Sequence, residues 1–265
     1  MPRTIVGRPF SLTIDPNNAI AFNGTSQYGS IPNFPGLDAL QSYTIEFWAY
    51  QDSTGGTGRQ FVRLQNGATR YASISNDNGN DDVNHAVDYS SADAFGGNSS
   101  TIFTTNAWHH LAFVHDAAAR QVRNYVDGVL VSNAFSQTGN SGGLLGFSGA
   151  TAYLGFNSVS TFFKGRFAGL RMWNVARTEA EILANKNYYL DPDQENLTQA
   201  ALVGVWNFNQ GSGTSVPNSV VPGTGDLALV ATPSWTTGPA LTAKNYNGPR
   251  TAAGARTQAG TRIAA

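Results

Sequence analysis

Tyr43-Thr-Ile-Glu-Phe-Trp-Ala-Tyr50 is a stretch in which apolar or aromatic side chains recur at every second position. In an extended chain successive side chains point to opposite faces, so Tyr43, Ile45, Phe47 and Ala49 share one face. Aromatic and β-branched residues are typical of strands that pack against a core. The stretch therefore predicts a β-strand with one face buried.

Similar patterns continue on both sides of this stretch. The further predicted strands are Ala19–Phe22, Tyr28–Ile31, Arg59–Gln65, Tyr71–Ser75, Trp108–Asp116, Arg123–Val126, Val129–Val131, Ala152–Gly155, Phe167–Trp173, Val203–Phe208 and Asp226–Val230. Asp127-Gly128 is typical of a two-residue hairpin turn. Four tryptophans fall in these strand patterns, and we expect most of them to be buried: Trp48, Trp108, Trp173 and Trp206.

One helix interrupts this β pattern. Thr178 and Glu181 have the spacing of a capping box, in which each side chain bonds the backbone N–H of the other residue. The apolar pair Ile182-Leu183 follows directly. We expect a helix that runs from this cap to about Tyr188.

The composition favours short strands and tight turns over long helices. Charged residues make up only 12% of the 265 residues, and there are 29 glycines. The formal net charge of −1 argues against a polyanion binder, and we expect no nucleic-acid partner. The chain has no cysteine, which excludes disulfides, thiolate metal sites and a cysteine nucleophile. No apolar run reaches the roughly 18 residues of a membrane span.

Six landmarks in series resemble the laminin-G-like, concanavalin-A-like jelly-roll family of bacterial surface proteins. They are Ala21-Phe-Asn-Gly-Thr-Ser-Gln-Tyr28, Tyr43–Tyr50, Ala107-Trp-His-His-Leu-Ala-Phe-Val-His-Asp116, Tyr125-Val-Asp-Gly-Val129, Lys164–Ile182 and Leu202–Gly213. The resemblance implies an all-β, two-sheet antiparallel jelly-roll sandwich, here with one short helix and irregular N- and C-terminal arms. It divides the chain into an arm over 1–18, a jelly-roll domain over 19–238 and a basic arm over 239–265.

The family's structural calcium ion is not expected in this chain. Relatives often carry acidic residues where Asn23, Gln27 and Gln210 stand here, and Ca²⁺ prefers several anionic oxygens. We therefore expect no required cofactor. A separate oxygen-rich loop spans 76–82, where Asp77, Asn78, Asp81 and Asp82 could hold Ca²⁺, although the same residues are typical of a solvated turn.

Catalysis is the least favoured of three classes of function. Glycosidases need two carboxylates about 5–10 Å apart, and Glu46 has no acidic residue two or four positions further on. His109 and His115 share a strand face but lie too far apart to ligate one metal ion. No Ser-His-Asp set is suggested by the spacing of these residues. We therefore predict a protein that is not an enzyme.

Glycan recognition would run through aromatic side chains near loops. The long stretch 76–106 is rich in Gly, Ser and Asn and is the expected recognition surface, because binding loops sit on rigid scaffolds. The candidates for stacking on sugar rings are Tyr71, Tyr89 and Phe95, followed by Tyr28 and Trp235. Most aromatic residues of a sandwich belong to the core, and that is the favoured alternative for each of them taken alone.

The C-terminal arm carries a regular pattern of cations. Lys244, Arg250, Arg256 and Arg262 recur at intervals of six residues, and no acid follows Asp226. An extended or polyproline-II chain would place all four on one side, whereas a helix would scatter them. The alternatives are a solvated tail and an arm that docks on an acidic neighbour, as in self-association or attachment to a larger assembly.

Two functional hypotheses follow from these observations. The first is a non-catalytic component of an extracellular or particle-borne assembly, with the sandwich facing outward and the arms docking. The alternative is a glycan-binding lectin or adhesin module. The first ten residues contain two arginines but no apolar run of the signal-peptide type, so the location is predicted as extracellular, cell-surface or particle-surface without a recognisable signal.

Overall fold

Two antiparallel sheets make up the body of the protein. The computed structural model describes residues 18–34, 36, 42–52, 59–67, 69–77, 82–88, 94–98, 104–135, 147, 149–190 and 201–243. The first sheet contains β1 (Ala19–Asn23), β3 (Tyr43–Gln51), β8 (Trp108–Asp116), β9 (Gln121–Val126), β10 (Val129–Phe135), β12 (Lys164–Trp173), β14 (Leu202–Trp206) and β17 (Ser234–Thr236). The second contains β2 (Tyr28–Ile31), β4 (Arg59–Asn66), β5 (Thr69–Asp77), β6 (Asp82–Asp88), β7 (Ala94–Asn98), β11 (Thr151–Leu154), β15 (Ser215–Val216) and β16 (Leu227–Val230).

Strand order follows the jelly-roll pattern of long crossovers. The first sheet runs β10-β9-β8-β3-β12-β1-β17, with β14 also paired to β12, and the second runs β15-β16-β2-β11-β4-β5-β6-β7. A separate short parallel pair joins β13 (Tyr188–Tyr189) to β18 (Thr242–Ala243). The predicted two-sheet antiparallel sandwich is therefore confirmed.

The core lies between the two sheets and is rich in aromatic rings. As the alternation in β3 predicted, Tyr43, Ile45, Phe47 and Ala49 are all at most 1% exposed. The ring of Phe47 in the first sheet lies 5.8 Å from that of Phe61 in the second, which shows that the two sheets pack face to face. Of the four tryptophans expected in the interior, Trp173 and Trp206 are buried, but the other two are only half-buried.

The helix α1 (Glu179–Asn185) covers part of the outer face of the first sheet. Its capping box is present as predicted, with Thr178 as the N-cap and Glu181 bonding back to the Thr178 backbone. The helix ends three residues earlier than predicted. Beyond this end Arg171 satisfies backbone acceptors, because its guanidinium donates to the carbonyl of Asn185 (3.0 Å), the last helical residue, and to that of Tyr188 in β13 (2.9 Å).

The stretch 76–106 is not one long loop. Strand β5 continues through Asp77, β6 begins at Asp82, and β7 lies within the same stretch. Polar and glycine-rich composition concealed these strands, because β6 and β7 continue the second sheet with few large apolar residues. Beyond the predicted domain end at 238, Leu241 is buried and β18 pairs with β13.

Candidate functional site

The predicted metal residues lie at the junction of β5 and β6. Asp77 pairs with Asp82 across the ladder, whereas Asn78 and Asp81, together with the side chains of both aspartates, fall outside what the structure describes. Among the described residues, no group of three or more His, Asp or Glu side chains is arranged to hold a metal ion.

Two of the predicted glycan-stacking aromatics lie in strands of the second sheet. Tyr71 lies in β5 and Phe95 in β7, opposite Val87, although their side chains are outside the description. Tyr89 lies outside the described residues altogether. Trp235 packs against the core and donates its indole N–H to the Gly213 carbonyl at 3.0 Å. The four arm residues, Lys244, Arg250, Arg256 and Arg262, also lie outside the described part of the chain.

Three short loops instead meet at one end of the sandwich, which we call the loop end: residues 23–27, 157–161 and 231–233. In the first loop the Asn23 side-chain oxygen accepts the backbone N–H groups of Thr25 (2.9 Å), Ser26 (3.0 Å) and Gln27 (3.3 Å). Such an asparagine-centred turn fixes the backbone without a cation or a ligand.

The second loop repeats this arrangement. The Asn157 side-chain oxygen accepts N–H groups from Val159 (3.0 Å), Ser160 (2.8 Å) and Thr161 (2.8 Å). The Asn157 backbone N–H also donates to the Thr161 carbonyl at 3.0 Å. Val159 stands at the tip and is 74% exposed. Both loops are therefore held by their own hydrogen bonds.

Gln27 ties the first loop to the third. Its side-chain nitrogen donates to the carbonyls of Ala231 (3.1 Å) and Thr232 (3.0 Å), and its oxygen accepts the Asn23 N–H at 3.0 Å. A carboxylate at this position would face two carbonyl oxygens and would need a cation between them. An amide supplies the missing hydrogens itself. The side-chain nitrogen of Gln210 likewise donates to the Ser215 carbonyl at 2.6 Å.

Beside these loops, four half-buried aromatic rings form a continuous cluster on the outer face of the second sheet, which we call the aromatic patch: Tyr28, Tyr153, Phe156 and Phe162. Phe156 lies 4.6 Å from both Tyr28 and Phe162, and both pairs are stacked. Tyr153 meets Phe156 edge-on at 5.7 Å. Because the strands β2 and β11 and the fixed loops hold these rings, the patch is rigid before any ligand arrives.

Polar groups border the aromatic patch. The register places Ser30 and Arg63 on either side of Tyr153, and Arg63 contacts the side chain of Gln65. Ser158 of the second loop contacts the same glutamine oxygen. Ring faces surrounded by hydroxyl, amide and guanidinium groups suit a ligand with both apolar C–H faces and many hydroxyls.

Glu46 lies beneath helix α1, where its side chain is not accessible to a ligand from solvent. It is fully buried on the outer face of β3, with Arg177 at 2.7 Å, Arg171 at 3.8 Å and His110 at 3.4 Å. Burial by itself raises the pKa of the Glu46 carboxyl, but the hydrogen bond to His110 and the charges of both arginines outweigh burial and lower the pKa. This carboxylate fastens α1 and its flanking turn to the sheet.

A hydrogen-bonded chain of Thr104, His109 and Asp127 was missed by the sequence analysis. His109 Nε2 lies 2.8 Å from the Thr104 hydroxyl, and Nδ1 lies 2.7 Å from Asp127 Oδ2. The His110 N–H donates to Asp127 Oδ1 at 2.9 Å. Burial would raise the pKa of Asp127, but these two histidine hydrogen bonds outweigh burial and lower the pKa. These hydrogen bonds fasten the turn at Thr104 and the turn at Asp127 to the start of β8.

Comparison with known proteins identifies the class. A family model described as the concanavalin A-like lectin/glucanases superfamily matches residues 23–183, more than half of the chain. The protein belongs to this superfamily, which confirms the resemblance drawn from its sequence. Among curated proteins, no sequence matches the chain significantly.

Solved structures with the same fold include proteins that bind carbohydrates. A Bacteroides ovatus protein provisionally described as carbohydrate-binding is 18% identical with a TM-score of 0.53, over 81% of this chain and 62% of that protein. This chain therefore spans less than two thirds of that relative. A heptameric pentraxin from Limulus polyphemus is 12% identical with a TM-score of 0.51, over 64% of this chain and 82% of the pentraxin.

A carbohydrate-binding module of a Ruminococcus gnavus sialidase, bound to α2,3-sialyllactose, is a further structural neighbour. It is 12% identical with a TM-score of 0.50, over 64% of this chain and 96% of the module. At these identities the likeness concerns the fold alone. Within the described part of the protein, no helix has the length and apolar character needed to cross a membrane.

Proposed function

We propose that this protein is a non-catalytic glycan-binding module that acts outside the cell, with the aromatic patch as its binding platform. The observation that carries the proposal is the cluster of four half-buried rings beside loops that Asn23, Asn157 and Gln27 hold in place. A pyranose ring has an apolar C–H face that stacks on aromatic rings, and its hydroxyl groups suit the polar border of the patch.

The fold neighbours favour this glycan-binding hypothesis over the assembly component. Two of the three structures described above are named for carbohydrate binding, and the family contains lectins by name. The arms that motivated the assembly hypothesis lie outside the described residues. An enzyme is disfavoured because Glu46, the best-placed strand carboxylate, is buried under α1 and neutralised by arginine.

A glycan array followed by affinity measurements tests the proposal. We expect dissociation constants in the millimolar to micromolar range, or about −4 to −8 kcal/mol. Tyr28→Ala and Phe162→Ala should each weaken the best array ligand about fivefold or more, because each removes one stacking ring. Leu183→Ala is a matched control, since Leu183 is 53% exposed on the distant helix. The proposal that the aromatic patch is the binding platform would be overturned if Leu183→Ala lost as much affinity as the ring variants. It would also be overturned if both ring variants kept the affinity of the parent protein.

A further inference from the structure

A second surface with the features of a ligand-binding site lies on the first sheet, at the loop end of the sandwich. Helix α1 covers only part of the outer face of the first sheet. At the end of the sheet beyond this helix, three neighbouring strands place Trp108 of β8, Tyr50 of β3 and Arg166 of β12 in one row. Asp52 follows directly after β3. We call these four residues the outer shelf.

The residues of the outer shelf contact one another in sequence. The rings of Tyr50 and Trp108 lie 5.6 Å apart in an edge-on arrangement. The Arg166 guanidinium lies over the Tyr50 ring at 4.3 Å, and its Nη2 is 3.8 Å from Asp52 Oδ1. The side chains of Arg166 and Asp52 are 34% and 33% exposed. Two aromatic rings and a cation therefore share one partly exposed surface, on which they are positioned by contacts with one another.

Hydrogen-bond donors of the outer shelf remain unused in the described structure. The indole N–H groups of Trp48, Trp206 and Trp235 donate to backbone carbonyls, whereas that of Trp108 has no protein acceptor there. Arg171 donates to three carbonyls, but no hydrogen bond of Arg166 is formed within the described residues. A planar guanidinium that is positioned by a ring but not hydrogen-bonded can bind a carboxylate through two parallel bonds.

The charge and the shape of the outer shelf favour an anionic ligand. Lys164 alternates with Arg166 on the same face of β12 and is exposed, so two cations stand near Asp52. The row continues from Arg166 to Ala21 of β1 and Ser234 of β17, which are small residues. Within the described part of the chain, this row of small side chains therefore leaves room for a ligand to lie flat beside the Arg166 guanidinium.

We propose that the outer shelf is a second binding site, specific for carboxylate-bearing saccharides such as uronic-acid oligomers. The ring face of Trp108 would stack on the C–H face of one sugar, Arg166 would pair with its carboxylate, and Asp52 would accept hydroxyl hydrogens. The site goes beyond the function proposed for the aromatic patch. It lies on the other sheet, and since packed sheets are about 10 Å apart, one sugar unit cannot contact both surfaces.

The test is a titration of the full chain with tri-uronate oligosaccharides of galacturonate, glucuronate and mannuronate, monitored by calorimetry. The methyl ester of each oligosaccharide is the ligand control, because it keeps the sugar shape and removes the charge. We expect at least one acid form to bind and its ester to bind about tenfold more weakly. Arg166→Lys keeps the charge but loses the paired donors, and it should weaken the acid form by a similar factor with an unchanged melting temperature.

Tyr28→Ala separates the two sites. The outer shelf proposal expects this variant to keep its affinity for the acid saccharide, even where it loses the best array ligand of the aromatic patch. The proposal is overturned if all three acids fail to bind at about 10 mM. It is equally overturned if acid and ester bind alike, or if Tyr28→Ala abolishes binding while Arg166→Lys does not.

Discussion

Glu46 is a fully buried acid, and its substitution should lower the free energy of unfolding more than the substitution of a surface residue. It faces Arg177 at 2.7 Å and Arg171 at 3.8 Å, and both arginines also donate to carbonyls of α1 or its flanking turn. Glu46→Gln leaves two buried cations without their counter-charge. We expect it to lower the free energy of unfolding by about 3–5 kcal/mol, measured by urea denaturation. Glu179→Gln, at an exposed position of α1, should stay within about 0.5 kcal/mol and is the control.

Buried histidines make stability depend on pH above the range of the carboxylates. Burial, aided by the charge of His115, lowers the pKa of His85 to about 3, and burial also lowers the pKa of His110. Both groups are neutral when folded but take up protons on unfolding below about pH 6.5. Both histidines therefore leave the protein most stable above that pH and reduce its stability as the pH falls below it, for His85 down to about pH 3.

We expect the free energy of unfolding to decrease below pH 6.5, by up to about 1.4 kcal/mol per pH unit for each histidine. Urea denaturation at a series of pH values between 7.5 and 4.5 measures this slope. His85→Gln should reduce the slope relative to the parent protein. A parent stability that stays constant from pH 7 to pH 5 would show that these histidines are accessible to protons in the folded state.

At the scale of single elements, glutamine amides hold loop backbones together through their own hydrogen bonds. Gln27 donates to two carbonyls and Gln210 to a third, at positions where the resemblance to the family implies acidic residues. We therefore expect EDTA to change the melting temperature little. A required ion at a hundredfold excess over its dissociation constant would contribute about 2.7 kcal/mol, so a large drop reversed by Ca²⁺ would contradict this account.

The strands that the sequence predicted are those with an alternation or a continuous run of apolar residues. β3 has apolar or aromatic side chains at every second position, β8 contains the continuous apolar run Leu111–Val114, and the capping residues Thr178 and Glu181 located α1. By contrast, β6 and β7 contain mainly small and polar residues, so their pairing with β5 is set by register and not by local pattern. At the end of α1, Arg171 of the distant strand β12 donates to the Asn185 carbonyl, a contact for which the local sequence gives no signal.

At the scale of the whole molecule, the candidate sites could not be predicted because they join distant parts of the chain. Tyr28 meets Phe156 and Phe162 only after β2 pairs with β11, and Thr104 reaches Asp127 only through His109. From the sequence, Tyr28 is one of several aromatics near loops, and Tyr71, Tyr89 and Phe95 are the preferred candidates. Composition identified stacking residues, whereas only the fold shows which of them share a surface.

A role of the basic C-terminal arm in self-association or docking is a separate prediction about the whole molecule. Leu241 is buried and β18 pairs with β13, so truncation should follow Ala243. We expect removal of residues 244–265 to leave the melting temperature unchanged and to weaken self-association or docking, since four cations would contact an acidic neighbour. High salt should mimic the truncation by screening exposed charges over about 8–10 Å. Monomeric full-length protein at low salt, measured by sedimentation, would contradict the docking hypothesis.

The central claim is that the aromatic patch binds a glycan, and its most direct test is chemical-shift mapping. The ¹⁵N- and ¹³C-labelled protein is titrated with the best ligand from the glycan array, and perturbations are assigned residue by residue. The account predicts that the largest shifts fall on Tyr28, Tyr153, Phe156 and Phe162 and on the loops 23–27 and 157–161. Shifts concentrated in residues 76–106, with the four rings unchanged, would contradict it.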